Sequence, residues 1–278
     1  MKSSKVKPVK VNYIQSIKSG MLVAQRTYLA GSSSSKKEVG TTNAKGDRSL
    51  GMDIEIEKAV IDYLQAQNIP VQIYSEEAGV IKESHPHPVC TFSMDPLDGS
   101  VNYKHGQGKL PFGTLIAFFK GLTPTLDDVV AAGMIEYTTG NFFIFDGKKT
   151  VDQNGKKVTL SADWKVHKTT PVYLDTFYKE GIRVYTEFAQ EVFIRGSGSV
   201  VGNLTYTLSS ISAAMGGISV RAEEIGAVYG LIKGAGGIIV DHEGVPLGGK
   251  LFDPKGEYQL LAGNNHIVNF MVGRLSGI

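Results

Sequence analysis

The sequence predicts a mixed fold of layered helices and sheets, and three observations lead to that prediction. Segments with helical and with strand periodicity alternate irregularly along the 278 residues, which favours layered α/β or α+β sheets over a barrel. No internal repeat is visible along the chain. The composition, 42% hydrophobic and 20% charged, is typical of a globular protein with a sizeable core.

Net charge and cysteine content indicate which binding partners and which cellular compartment to expect. The formal net charge of +2 produces no strong global field and argues against nucleic acid as the main partner. The single cysteine, Cys90, excludes an internal disulfide and a CxxC metal site, and it fits a reducing compartment. The N-terminus lacks the apolar core of a signal peptide, and no stretch is apolar enough to span a bilayer. We therefore expect a cytoplasmic protein with neither nucleic acid nor membrane as partner.

Two helices and a long loop are predicted at the start of the chain. Apolar residues recur at helical spacing in residues 11–30 and again in residues 52–67. The intervening residues 31–46 are rich in Ser, Lys, Gly and Thr, which is typical of a loop. Because long loops inside one structural unit are often functional, we expect residues 32–47 to close over a site.

Short apolar runs bounded by turn residues predict strands in the middle of the chain. These runs cover residues 70–74, 89–94, 115–119, 129–137 and 141–145. The last of them is expected to form a hairpin with residues 156–160, which follow an Asn-Gly turn signal.

The second half of the chain is less regular. Residues 172–178 and 182–188 could be strand and helix in either order, residues 204–215 and 225–233 predict helices, and residues 237–241 predict a strand.

Two carboxylates three residues apart, Asp95 and Asp98, follow an apolar strand. Pro96 fixes one backbone angle and Gly99 permits conformations closed to other residues, so the bend can aim both carboxylates and the Leu97 carbonyl at one point. Hard oxygen ligands of this kind suit Mg²⁺. Backbone amides after the bend, at a helix N-terminus, could bind phosphate.

The same residue types are also common in surface turns, where an Asp caps the turn and has no further role. Glu76 and Glu77, which end the preceding strand, shift the balance. Converging carboxylates repel one another unless a cation neutralises them, so a metal site is the more economical interpretation.

The order of these acidic residues resembles the inositol monophosphatase superfamily, which includes archaeal-type fructose-1,6-bisphosphatases and is typically inhibited by lithium. The most specific match is the Glu-Glu pair at residues 76–77 followed by Asp-Pro-Leu-Asp-Gly-Ser at residues 95–100. Weaker likeness is found at residues 45–47 with Asp53, at residues 235–241 and at residues 262–265.

The resemblance implies both a fold and an activity. The fold would be an α+β, layered αβαβα sandwich in two intimately packed halves, residues 1–160 with the acidic cluster and residues 161–278 with the substrate pocket. The activity would be hydrolysis of a small phosphorylated sugar or polyol, such as inositol monophosphate or fructose 1,6-bisphosphate, by metal-activated water with two or three Mg²⁺ ions. A homodimer is also implied.

The resemblance further implies a role for individual residues. The metal ligands would be Glu76, Asp95, the Leu97 carbonyl, Asp98 and Glu224. The catalytic residues would be Glu76, Ser100 and Asp53, with Asp47 near a third, weaker ion. The substrate would be bound by the amides of Gly99 and Ser100 and by Arg195 and Arg221.

The chain departs from the family pattern at one metal position. The family places a further aspartate where this sequence has Glu224 and no aspartate. Because Mg²⁺ tolerates little distortion and Glu is longer, Glu224 could ligate the metal, ligate it weakly or lie on a helix surface. Arg221 could contact a substrate phosphate or cap a strand end.

Two alternatives to a sugar or polyol phosphatase stay open. One is a 3′-phosphoadenosine nucleotide phosphatase of the same superfamily, which would need an aromatic face for adenine. The other is a catalytically impaired homologue that binds a metabolite, which the missing aspartate suggests.

Overall fold

The computed structural model of the protein describes residues 11–31, 37–42, 48–81, 85–160 and 162–275. Asp47 and most of the predicted loop 32–47 lie outside the described residues.

Seven α-helices occur in the described part of the chain. They are α1 (Tyr13–Ala30), α2 (Gly51–Ala66), α3 (Ser100–His105), α4 (Lys179–Tyr185), α5 (Val200–Leu208), α6 (Ala222–Gly234) and α7 (Asn265–Leu275). Among the residues described, no helix combines the length and the apolar character that crossing a membrane requires.

The strands of the described residues form three sheets. They are β1 (Glu38–Thr42), β2 (Arg48–Leu50), β3 (Val71–Ser75), β4 (Gly79–Ile81), β5 (Cys90–Asp98), β6 (Gly113–Lys120), β7 (Val129–Glu136), β8 (Phe142–Phe145), β9 (Thr150–Asp152), β10 (Pro171–Leu174), β11 (Phe193–Arg195), β12 (Ala214–Arg221), β13 (Ile238–Val240) and β14 (Glu257–Gly263).

Two of the sheets organise the molecule. The larger has seven strands in the order β4-β3-β5-β6-β7-β8-β9, and only its β3–β5 pair is parallel. The smaller has five strands in the order β11-β10-β12-β14-β13, with β10 parallel to both neighbours and β14 antiparallel to both of its own. Strands β1 and β2 form a separate antiparallel pair.

The helices and sheets stack in five layers. Helices α1 and α2 pack on one face of the seven-stranded sheet, α5 and α6 lie between the two sheets, and α4 and α7 cover the outer face of the five-stranded sheet. The predicted α+β fold, a layered αβαβα sandwich, is confirmed.

Burial on both faces explains why the central strands lack an alternating pattern. All nine residues of β5 are buried, because helices cover both sides of the larger sheet. Helix α1 shows the complementary pattern, since its buried residues Ile17, Met21 and Ala24 recur every three to four positions. The close approach of α1 to the sheet needs Gly133, where a Cβ would lie 2.6 Å from the side chain of Ile17.

Three predicted elements are wrong. Residues 38–42 of the predicted loop form strand β1, because they pair with β2. The hairpin partner of β8 is β9, not residues 156–160, because a tight turn with Gly147 at φ +87° reverses the chain directly after β8. Residues 204–215 are not one helix, because α5 ends at Leu208 and β12 begins at Ala214. Strand β12 is central and buried over its first half, so its small apolar residues carry no strand periodicity.

Candidate active site

A β-bulge places Asp95 and Asp98 on the same side of β5. Asp95 is paired with Leu115 and Asp98 with Gly113, so three steps along β5 match two steps along β6. Residues three apart in a regular strand point to opposite faces, and the extra residue of the bulge cancels that difference. The predicted bend therefore lies inside the strand and not after it.

Three buried carboxylates converge at this bulge. One oxygen from each of Asp95, Asp98 and Glu224 lies within 4.8 Å of the other two. The three residues are 2%, 8% and 5% exposed, so little water reaches them. Glu224, which the sequence left open between a ligand and a surface residue, is brought into the cluster.

The local backbone holds each carboxylate in place. The Leu97 amide donates to Asp95 Oδ1 at 2.9 Å, and the Arg221 amide at the start of α6 donates to Glu224 Oε2 at 2.7 Å. Asp98 Oδ2 accepts from the Val201 amide at 2.5 Å. That amide belongs to the first turn of α5, where unpaired N–H groups favour a negative charge. Asp98 thus ties the larger sheet to the middle layer.

The three carboxylates of the cluster repel one another when no cation lies between them. Burial and then the charges of Glu76, Asp98 and Glu224 raise the pKa of Asp95 well above its usual value. Burial also raises the pKa of Asp98 to about 6, although the α5 amides oppose this, and burial with the charge of Asp98 raises the pKa of Glu224. Buried oxygen ligands that resist joint ionisation are a donor set that fits a hard divalent cation such as Mg²⁺.

Glu76 lies beside this cluster but is directed at an arginine. It follows β3, and its Oε1 is 2.5 Å from Nη1 of Arg221, the N-cap residue of α6. The charge of Glu76 still raises the pKa of Asp95, which places it next to the cluster. Its predicted role as a metal ligand stays a prediction.

The other predicted catalytic residues lie around the same strand end. Asp53, in the first turn of α2, is 3% exposed and accepts from the Leu50 amide at 3.0 Å. Burial and then the charges of Glu76 and Glu77 raise the pKa of Asp53 to about 8. Ser100 is the first residue of α3, and its side chain is exposed.

Gly99 starts α3 in a conformation that favours glycine. Its φ is +83°, and a Cβ there would lie 2.8 Å from the Ser199 side chain and 3.1 Å from the Pro111 carbonyl. Helix α3 therefore begins directly after the bulge, as predicted. Its first amides point away from the helix body at the position where the sequence predicts phosphate binding.

Arg195 lies on the edge strand of the five-stranded sheet. It ends β11, is exposed, and its guanidinium lies 4.4 Å from the ring centroid of Phe193. Its predicted contact with substrate stays a prediction.

Sequence reasoning missed three residues that hold the site together. Glu57 is 8% exposed and accepts hydrogen bonds from the Ser75 hydroxyl and, at 3.2 Å, from the Ala78 amide. It thereby fixes both ends of the turn that carries Glu76. An available signal was that Glu57 follows Asp53 by one helical turn and so shares its face of α2.

Asn102 and Ser199 join α3 to α5. Asn102 Nδ2 donates to the carbonyls of Pro111 at 2.7 Å and Ser197 at 2.8 Å, and Ser199 Oγ donates to the same Pro111 carbonyl at 3.0 Å. These contacts span up to 95 positions, so no local pattern could predict them.

The chain is similar to known proteins over most of its length. No protein-family model matches it. The fructose-1,6-bisphosphatase/inositol-1-monophosphatase of Methanothermobacter thermautotrophicus is 26% identical over 82% of this chain and 83% of its own length. Its counterpart in Thermococcus kodakarensis is 27% identical over 78% of each chain. The crystal structure of the extragenic suppressor protein SuhB of Bartonella henselae superposes with a TM-score of 0.75 at 18% identity, covering 95% of this chain and 98% of that one.

The fold, the acidic motif and the relatives agree with one another. The likeness to SuhB concerns the fold alone, whereas the two archaeal relatives match across most of the chain. The carboxylates that carried the resemblance, Asp95 and Asp98, meet Glu224 at one point in the structure. The chain is thus similar, over most of its length, to archaeal proteins named fructose-1,6-bisphosphatase/inositol-1-monophosphatase, and it shares their acidic motif and the fold of this superfamily.

Proposed function

We propose that the chain is an Mg²⁺-dependent phosphomonoesterase that acts on a small phosphorylated sugar or polyol, with inositol monophosphate and fructose 1,6-bisphosphate as the first candidates. The broader class, a phosphoric monoester hydrolase, is supported by the relatives, which are named as phosphatases. The substrate class and the metal dependence are the parts proposed.

One observation supports the proposal above all others. The buried carboxylates of Asp95, Asp98 and Glu224 converge beside the N-terminus of α3. A phosphate ester requires positive charge around its oxygens, and buried carboxylates require a cation to ionise together. A divalent ion placed between the two would satisfy both requirements.

The carboxylate residues would hold the metal, and their neighbours would hold the ester. Asp95, Asp98 and Glu224 would be the ligands, with Glu76 and the Leu97 carbonyl at one side, for two or three ions in all. Bound there, Mg²⁺ would supply Lewis-acid stabilisation of the phosphate and make a nucleophilic water available near neutral pH.

Groups of the protein itself would bind the phosphate and orient the attacking water. The amides at the start of α3, from Gly99 and Ser100, would donate to the phosphate oxygens. The Ser100 hydroxyl and the Asp53 carboxyl would orient the attacking water. In the metal-free protein, burial and the charges of Glu76 and Glu77 raise the pKa of Asp53 to about 8.

Three further expectations belong to the same proposal. Residues 1–160 would form the half that carries the acidic motif, and residues 161–278 the half that supplies Glu224 and the substrate pocket. The protein would act in the cytoplasm as a homodimer, which size-exclusion chromatography with light scattering would test.

The test is phosphate release from purified protein with and without Mg²⁺. The esters compared are inositol 1-phosphate, fructose 1,6-bisphosphate and 3′-phosphoadenosine 5′-phosphate. We expect Asp98→Asn to lower the rate at least 100-fold, because it removes a charge that faces the metal and the α5 amides. Asp62→Asn, the same change on the exposed side of α2, is the matched control and should leave the rate unchanged.

Each outcome separates the candidates. Mg²⁺-dependent turnover of the first two esters supports the proposal. Preference for the nucleotide would instead make the protein a 3′-phosphoadenosine nucleotide phosphatase. Absence of turnover on all three esters, in protein that still binds Mn²⁺, would identify a catalytically impaired homologue.

A further inference from the structure

A guanidinium group lies among the carboxylates of the site. Arg221 Nη1 is 2.5 Å from Oε1 of Glu76, and the two side chains are 27% and 13% exposed. Arg221 also precedes Glu224 by one helical turn, and its own amide donates to that carboxylate at 2.7 Å. One residue thus contacts two of the predicted metal ligands, with its side chain and with its backbone.

The surroundings of Arg221 resemble those of a bound cation. Burial alone would lower the pKa of Arg221, but the carboxylates of Glu76 and Glu224, followed by those of Asp95 and Glu223, raise it above its usual value. The guanidinium is therefore charged at all accessible pH values, and four acidic residues stabilise that charge. It supplies locally the positive charge that a divalent ion would otherwise supply.

A guanidinium and a metal ion on one carboxylate share a single negative charge, even where each contacts a different lone pair. The guanidinium is bonded to Glu76 Oε1, and a divalent ion bound to the same carboxylate would lie close to this positive charge and be repelled by it. We propose that Arg221 competes with a divalent cation for the charge of Glu76, so that binding of a metal ion at this carboxylate favours release of the guanidinium. This inference rests on the metal site of the proposed function, because it assumes that Glu76 belongs to that site.

Two consequences follow from the competition. Arg221 weakens the affinity of the ion that contacts Glu76. A guanidinium released from Glu76 stays anchored next to Glu224 by its own backbone, and it becomes a donor for an anionic group that enters with the metal. The ion at Glu76 and a phosphate ester would therefore each favour binding of the other.

The experiment measures Mn²⁺ binding without substrate, by calorimetry and by the electron paramagnetic resonance signal of free Mn²⁺. We expect Arg221→Gln to tighten binding of the ion that contacts Glu76 at least tenfold, about 1.4 kcal/mol. Arg183→Gln, which removes the same charge from the exposed surface of α4, is the matched control and should change affinity less than twofold.

A double-mutant cycle separates direct competition from a general effect of charge. If Arg221 acts through Glu76, Arg221→Gln tightens binding at least threefold less in a Glu76→Gln background than in the wild type. Equal tightening in both backgrounds, or no tightening in the wild type, overturns the inference.

Folding and activity are checked independently. Far-UV circular dichroism of each metal-free variant reports whether it folds. Should Arg221→Gln fail to fold, Arg221→Lys takes its place, since lysine lacks the planar guanidinium that bonds Glu76. We then expect Mn²⁺ binding to tighten at least threefold. An unchanged Mn²⁺ affinity refutes the competition. Because the assay contains no ester, a protein that releases no phosphate but shows the tightening would overturn the proposed function and leave this inference standing.

Discussion

Replacing Gly99 by alanine tests whether the start of α3 depends on the glycine that joins this helix to the carboxylate-bearing strand β5. The φ of +83° disfavours any L side chain, by about 1–2 kcal/mol. The new Cβ would also lie 2.8 Å from the Ser199 side chain and 3.1 Å from the Pro111 carbonyl. Forcing a methyl group into such a contact typically costs about 1–3 kcal/mol. The sum is roughly 2–5 kcal/mol of unfolding free energy.

Thermal unfolding followed by circular dichroism measures this loss. A protein of this size loses roughly 2–4 °C of Tm per kcal/mol, so a fall of about 5–15 °C is expected. The matched control is Gly121→Ala, since Gly121 has nearly the same φ of +81° but nothing within 4 Å of an added Cβ. It should lose only the conformational part, about 1–2 kcal/mol. Equal Tm values for the two variants would refute the argument that close packing against Ser199 fixes this turn.

Two further predictions concern the carboxylates that neighbour the proposed metal ligands. Glu57→Gln should weaken Mn²⁺ binding about tenfold and destabilise the fold by about 1–3 kcal/mol, because the turn that carries Glu76 loses a charged hydrogen-bond acceptor. Calorimetry measures the Mn²⁺ affinity and thermal unfolding measures the stability. Effects no larger than those of the exposed control Glu55→Gln would contradict this prediction. In metal-free protein the pKa of Asp53 rises from 3.8 to about 8 on folding, so its contribution to stability is full below pH 3.8 and is lost as the pH rises to about 8. Asp53→Asn should therefore flatten the fall in the free energy of unfolding across that window by up to about 1.4 kcal/mol per pH unit, measured by denaturant unfolding at each pH. Parallel curves for variant and wild type would refute the shift.

The periodicity of apolar residues predicted those elements that show a regular buried face along their own sequence. Helices α1 and α2 were found because their buried residues repeat at helical spacing, and the structure moves their bounds by only one or two residues. The acidic segment was found because Glu76 and Glu77 at the neighbouring strand end made a metal site a more economical interpretation than a surface turn. Glu224 was found by counting back from a glycine-rich segment, and the structure places it in the cluster.

Features that depend on distant partners were not predictable in the same way. The pairing of β8 with β9 depends on a turn at Gly147, and the end of α5 depends on β12 entering the centre of a sheet. The contact between Arg221 and Glu76 joins residues 145 positions apart. The sequence showed both residues as candidates for site roles, but their mutual attraction appears only when the two sheets are packed together.

The position of the site between the layers explains why its carboxylates stay together. Asp95 and Asp98 belong to the larger sheet, whereas Glu224 belongs to the middle layer and is held by its own helix start. The Val201 amide at the start of α5 offsets part of the negative charge of Asp98, and Arg221 places a full positive charge beside Glu76. Core burial elsewhere in the five layers must offset the repulsion that remains. Divalent cations should therefore stabilise the packing of the middle layer against the larger sheet, since they would cancel a repulsion that acts across that boundary.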